Sequence, residues 1–463
     1  MSFYYFGFTS GYYKKELKES SVLSLPLIAA LLSQKGIGVV NTIMMGMLGI
    51  KELAAGALGD SLFSIFMAFG FGALSAVGVL IARSAGEKKD SNIGKITYNG
   101  IYLAFIFSII FIFILWYTPQ FLLLIKQNPG VVYKTKEYLH SIVWGLPALL
   151  GFFILQEFSA ALNHPKVITA FSLLGIPVVA ILNYIFAFGK LGFPALGIAG
   201  IGFSTAIVQW LTFIGMYIYL LYHKDIGRYL RITSTKDYLT LKYFKEILTI
   251  GCPAGFTFVL ELGMLSISAI MMGYFGVVVL AAHQIVLMST TIFCRFPLAI
   301  SITTAIRVSK NVGLKKFRNA NLSVYINLFC GFIICAVSCI FFFFFPEFIV
   351  NIFISSNDAN FYEVLSVATI LFYFGAVVLL LDSFQTILNG ALRGMKDTFI
   401  PMIFCLTSYW LFGVGGSYTL AFILKLDEYG VWGGLVLGLS VSSILLYLRY
   451  LNTHKKLAEP ITT

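Results

Sequence analysis

The sequence predicts an all-α polytopic membrane protein, with twelve transmembrane helices in two pseudo-symmetric six-helix bundles. Three observations carry that prediction. The 463 residues are 59% apolar and only 11% charged, more apolar surface than a water-soluble fold can hide. The apolar residues gather in long runs of about 20, the length that crosses a bilayer as a helix. Residues 26–89 also align without a gap with residues 253–316, 227 positions later, which is the internal echo of a duplicated half.

Twelve runs meet the length requirement: roughly 22–46, 53–81, 96–117, 138–160, 167–189, 196–222, 247–273, 279–305, 320–345, 364–391, 399–423 and 430–451. Transmembrane β-strands would be about half as long and would alternate in polarity, which these runs do not. Charge orients the chain. Lys and Arg in the tails and the even-numbered loops number 24, against six on the other side (Lys51, Lys126, Lys134, Lys136, Lys190 and Lys425). The positive-inside rule puts both termini and the central loop in the cytoplasm. The net charge of +12 is mostly this topological signal. Because the basic residues are scattered over short loops, nucleic acid is excluded as a partner. Phe3 to Tyr13 reads as a short interfacial segment or as a disordered tail. The six cysteines lie in or beside apolar runs, where free thiols behave as small hydrophobes, and imply no disulfide framework.

The echo divides the chain. Pro26 meets Pro253, Gly36 meets Gly263, and Met44-Met45-Gly46 meets Met271-Met272-Gly273. Gly49 meets Gly276, Leu53-Ala54-Ala55 meets Leu280-Ala281-Ala282, and Gly86-Glu87-Lys88-Lys89 meets Gly313-Leu314-Lys315-Lys316. Ala161-Leu162 echoes Ala391-Leu392 more weakly, as Gly197 and Gly200 echo Gly430 and Gly433. The halves are residues 1–222 and 247–463, joined by the charged loop 223–246. Six spans per half make the repeat parallel, a geometry that suits a V-shaped molecule with a central cavity. The paired Pro26 and Pro253 read either as tolerated membrane prolines or as hinges.

Ionisable groups inside an apolar run are costly and mark function by default. Helix 1 carries Gln34 and Lys35, and helix 2 carries Asp60. Glu157 closes helix 4 as a boundary residue. Glu261 sits near the centre of helix 7, too deep to reach an interface. His283, near the outer end of helix 8, reads as a hydrogen-bonded structural residue. Arg295 lies just past the centre of helix 8 and pairs with Asp382 or Glu261, or with neither in one conformation. Asp382 lies on helix 10 at a depth similar to Glu261. These two acids are the candidates to share a proton or a cation, including Na⁺ as a metal ligand pair, with Arg295 and Lys35 as counter-ions.

Several stretches together resemble the multidrug and toxic compound extrusion (MATE) family, and in particular its NorM-type branch. They are Gln34 through Gly46, Pro253 through Glu261 to Ala282-His283-Gln284, Asp382-Ser383-Phe384-Gln385, Ala391 through Gly394, and Thr398 to Pro401. The resemblance implies two six-helix lobes and secondary active efflux of amphipathic organic cations in exchange for Na⁺ or H⁺ by alternating access. It also implies a monomer in a bacterial inner membrane, with no tightly bound cofactor and with cationic drugs or dyes and the lipid bilayer as partners. Glu261 and Asp382 match its acidic pair, and Asn183 matches a polar position of its N-terminal lobe. Asn41 stands where the family typically carries an aspartate, so the N-terminal lobe has lost that charge. A lipid-linked precursor flippase of the same superfamily is the second reading. A membrane-embedded enzyme is the third, and against it there is no metal-spaced His/Asp/Glu cluster, no Ser–His pairing at one depth and no phosphate-cradling glycine loop.

Overall fold

The computed structural model describes residues 10–124, 126–231, 239–356, 358 and 360–458. Residues 3–9 of the N-terminal segment and Lys236 of the central loop lie outside them. In hydrocarbon an unpaired backbone amide is prohibitively costly, so a long apolar run closes its own hydrogen bonds as a helix. Twelve such helices are present among the described residues. They are α1 (Gly11–Leu48), α2 (Ile50–Gly86), α3 (Asp90–Leu124), α4 (Pro129–Ala161), α5 (Lys166–Phe188), α6 (Ile198–Tyr222), α7 (Leu241–Gly273), α8 (Val277–Gly313), α9 (Phe317–Phe344), α10 (Phe361–Gly394), α11 (Phe399–Ile423) and α12 (Asp427–Lys455). Each falls on a predicted run, and most extend beyond it. An apolar run ends where polar residues begin, but the helix continues through them until a turn stops it.

Those turns repeat. Lys88 and Lys315 both have φ of 58°, and each closes the same C-terminal cap: Lys89 N–H donates to Ser84 O at 2.9 Å and Lys316 N–H to Asn311 O at 2.9 Å. A left-handed residue after the last turn satisfies orphan helix carbonyls, so the Lys-Lys echo in sequence is an echo of backbone. The weaker later echo is shifted from its sequence register. Gly200 and Gly430 are the equivalents, not Gly197 and Gly430. A Cβ on Gly200 would lie 2.7 Å from Ala187 N and one on Gly430 2.5 Å from Ala421 N. Unequal connections before α6 and α12 let identity alone slip the pairing.

Several helices are locally irregular. α4 contains a 3₁₀ turn at Val143–Gly145, and α8 breaks at Cys294, immediately before Arg295. α11 is π-helical over Thr407–Val414 and Thr419–Ile423.

The chain forms two compact units. The first is Leu25–Gly255, and the second is Phe256–Thr463 with the stretch ending at Ser24. The divisions thus fall inside α1 and α7, beside the paired Pro26 and Pro253, rather than in the 223–246 loop. Packing explains this. In α7, Gly251 and Gly255 let the helix lie on α2, where a Cβ on Gly251 would meet Ala73 O at 1.8 Å. At the start of α1, Glu16 belongs to the second unit: Arg307 Nε donates to its Oε1 at 3.0 Å and Ser323 Oγ to the same atom at 2.6 Å. Arg307 also pairs with Glu19 at 2.5 Å. Glu16 and Arg307 are each 7% exposed, so this is a buried pair with its hydrogen bonds satisfied.

Candidate functional site

The second unit brings the predicted acids together. Asp382, buried on α10, accepts from Gln385 Nε2 at 3.1 Å and from Thr386 Oγ1 at 3.2 Å, both on its Oδ1. Cys294 of α8 lies within electrostatic reach of the same carboxylate. Asp382, Gln385, Thr386 and Asn389 follow the spacing of one helix face, a polar stripe in an otherwise apolar helix. Tyr409 O–H in turn donates to Gln385 Oε1 at 2.9 Å. It sits in the first π-helical stretch of α11, where the extra residue per turn re-aims side chains, a common feature of functional sites.

Glu261 is half-buried in α7, within electrostatic reach of both Asp382 and Arg295. Among the described residues its carboxylate makes no hydrogen bond or salt bridge. Arg295 acts on Glu261 but forms a salt bridge with neither acid among the described residues, and its buried Nε has no hydrogen-bond partner. In this conformation Arg295 is within electrostatic reach of Glu261 and is locked to neither carboxylate among the described residues. A cavity of about 400 Å³ in the same unit, lined by Phe374, Leu420, Lys425 and Asp427 among others, shares no residue with this site.

The N-terminal polar residues gather in the first unit, in three separate places. Asn183 Nδ2 donates to Asn41 Oδ1 at 2.8 Å, and Asn41 Nδ2 donates to Thr205 Oγ1 at 2.9 Å. Gln34 Nε2 donates to Gln156 Oε1 at 3.2 Å. Asp60 accepts from Tyr138 O–H at 2.6 Å, and Lys35 exerts its charge on it.

Glu157, near the end of α4, is 2% exposed and pressed against α2, where a Cβ on Gly78 would come 2.0 Å from its Oε2. Cys294, read as a small hydrophobe, stands within electrostatic reach of Asp382. His283 is hydrogen-bonded as the sequence predicted, its Nδ1 accepting from Trp432 Nε1 at 3.2 Å. The i, i+3, i+4 spacing from Asp382 was the available signal for Gln385 and Thr386. For Tyr138 no local signal existed, since it reaches its acid from another helix.

Among the described residues no group of three or more His, Cys, Asp or Glu is placed to hold a metal ion. An inorganic cation here would have the two carboxylates and neutral oxygens alone.

Comparison with known proteins gives a consistent result. The MatE family model matches residues 26–185 and 253–419, two copies that begin at the paired prolines. The chain is 31% identical over 442 residues to a probable multidrug resistance protein NorM of Synechocystis, covering 94% of each. It is 31% identical to the multidrug resistance protein MdtK of Photorhabdus laumondii, covering 97% of this chain and 98% of that one. The crystal structure of the eukaryotic MATE transporter AtDTX14 superimposes with a TM-score of 0.86 at 20% identity, covering 97% of this chain and 100% of that one. An outward-facing MATE family transporter of the MOP superfamily gives 0.87 at 19%, covering 96% and 97%. Twelve apolar helices, a duplicated backbone and a family model matched in both halves make this multi-pass membrane chain a member of the MatE family.

Proposed function

We propose that the protein is a secondary active multidrug efflux antiporter that exports amphipathic organic cations in exchange for H⁺ or Na⁺ by alternating access. The observation that carries this reading is Glu261, a carboxylate in mid-helix that no hydrogen bond or salt bridge holds among the described residues, within electrostatic reach of Asp382. A held acid beside an unheld one gives a site whose charge can be exchanged. Drug and coupling ion compete for that charge, and this competition couples their movements.

The donor set favours H⁺. Gln385 Nε2 and Thr386 Oγ1 both point hydrogens at Asp382 Oδ1, and a guanidinium stands by Glu261. A hard metal cation needs converging oxygen acceptors instead. The proposal places the protein in a bacterial inner membrane as a monomer with both termini cytoplasmic, as the basic loops indicate.

The test is ethidium transport in proteoliposomes under separately imposed pH and Na⁺ gradients. The reading expects uptake driven by the pH gradient, with Arg295→Met raising the response to Na⁺. Ethidium movement under neither gradient would overturn it.

A further inference from the structure

We propose that the cleft at the α11–α12 turn of the second unit is a phospholipid site, which receives a headgroup carrying both a phosphate and a primary ammonium. This binding role is independent of the efflux reading.

The cleft, about 400 Å³ in volume, joins an apolar interior to a charged end. Phe374 of α10 and Leu420 of α11 line it within the membrane spans. Lys425, Leu426 and Asp427 line it at the turn between α11 and α12. A turn joining two spans lies at a bilayer surface, the level of the headgroups. Beside it Ile423, Leu424 and Leu426 are 61%, 59% and 51% exposed. Large apolar side chains exposed so densely belong against lipid, so a membrane lipid can reach the cleft from the side.

Both charges are free to take a ligand. Lys425 and Asp427 are exposed, and among the described residues neither side chain makes an ion pair or a hydrogen bond. Being two residues apart, their Cα atoms are separated by about 7 Å at most, the scale of a phosphoethanolamine group. The Lys425 ammonium has three N–H donors for a phosphate, and the Asp427 carboxylate accepts from an ammonium in a charge-assisted bond. Compensation of the helix dipole does not by itself account for Asp427, because Glu428 supplies an acid in the same first turn of α12. The duplicated half has no acid there. Gly197 stands three residues before Gly200, as Asp427 stands three before Gly430. Both have positive φ, 57° and 47°, a conformation suited to glycine. The second unit therefore holds a carboxylate where the backbone favours none, at the charged end of an apolar cleft.

The experiment is native mass spectrometry of the detergent-purified chain titrated with phosphatidylethanolamine or phosphatidylglycerol, comparing wild type, Lys425→Gln and Asp427→Asn. Asparagine tolerates positive φ, and a thermal melt of each variant checks the fold. Wild type is expected to hold phosphatidylethanolamine about tenfold more tightly than phosphatidylglycerol, the worth of one charge-assisted hydrogen bond. Asp427→Asn should erase that preference, and Lys425→Gln should weaken both lipids about tenfold. Equal affinity of the wild type for the two lipids would overturn the site, as would unchanged binding by either folded variant. Glycerophosphoethanolamine, the same headgroup without acyl chains, is expected to displace no bound lipid at equal concentration. Full displacement by it would show that the apolar cleft takes no part, and would overturn the phospholipid assignment.

Discussion

Gln385 joins two buried side chains, giving a hydrogen bond to Asp382 and taking one from Tyr409. Gln385→Leu removes both. Stranding a buried hydroxyl while a charged acceptor loses a donor costs about 1–3 kcal/mol. Ethidium efflux by cells carrying this variant is expected to fall about tenfold at unchanged expression, and wild-type efflux would contradict the role given to the stripe. The two acids of this site were legible because a charge in an apolar run stands out at any position. Gln385 and Thr386 were legible only through their spacing from Asp382. Tyr138 was hidden among 25 tyrosines, and its partner Asp60 lies 78 residues away in the chain, a separation no local pattern reports.

At the scale of elements, helix existence was readable because the bilayer leaves the backbone no alternative. What was not readable was where each helix is shared. α1 passes from one unit to the other next to Pro26, because Glu16 is captured by Arg307 and Ser323. Removing one partner of a buried, hydrogen-bonded ion pair typically costs about 3–5 kcal/mol. Arg307→Met should therefore lower the thermal midpoint in detergent clearly more than Arg228→Met, whose pair with Asp90 is exposed. Equal melting would contradict the buried role.

The connection between α4 and α5 carries a pH dependence. Burial, reinforced by His223 at 4.8 Å between ring centroids, holds the His164 imidazole below its ordinary value of 6.5. The folded protein therefore takes up this proton less readily than the unfolded chain. The stability this contributes is present above the unfolded value and lost as pH falls from about 6.5 through the lower folded one. Hydrogen exchange at residues 159–166, corrected for its intrinsic rate, is expected to quicken between about pH 7.5 and pH 5.5. His164→Gln should flatten that dependence, and a flat wild-type profile would contradict the assignment.

For the whole molecule, duplication sets the backbone and not the chemistry. The Lys88 and Lys315 caps superimpose in conformation, and the family model matches both halves. The equivalents Gln34 and Glu261, however, have diverged. Gln34 hydrogen-bonds to a neutral amide, while Glu261 is unheld among the described residues, within electrostatic reach of Asp382 and Arg295. The sequence showed this asymmetry directly, since a charge is either present or absent at an aligned position. It could not show that Tyr138 of α4 holds Asp60 of α2, because only tertiary packing joins them.

The central claim is that the Glu261–Asp382 pair couples ion entry to drug exit. The most direct measurement is ethidium uptake driven by an imposed pH gradient in proteoliposomes containing wild type, Glu261→Gln or Asp382→Asn, with matched protein content and thermal midpoints. The account predicts gradient-driven uptake by the wild type and none above empty vesicles for either variant. Uptake at the wild-type rate by either folded variant would contradict it.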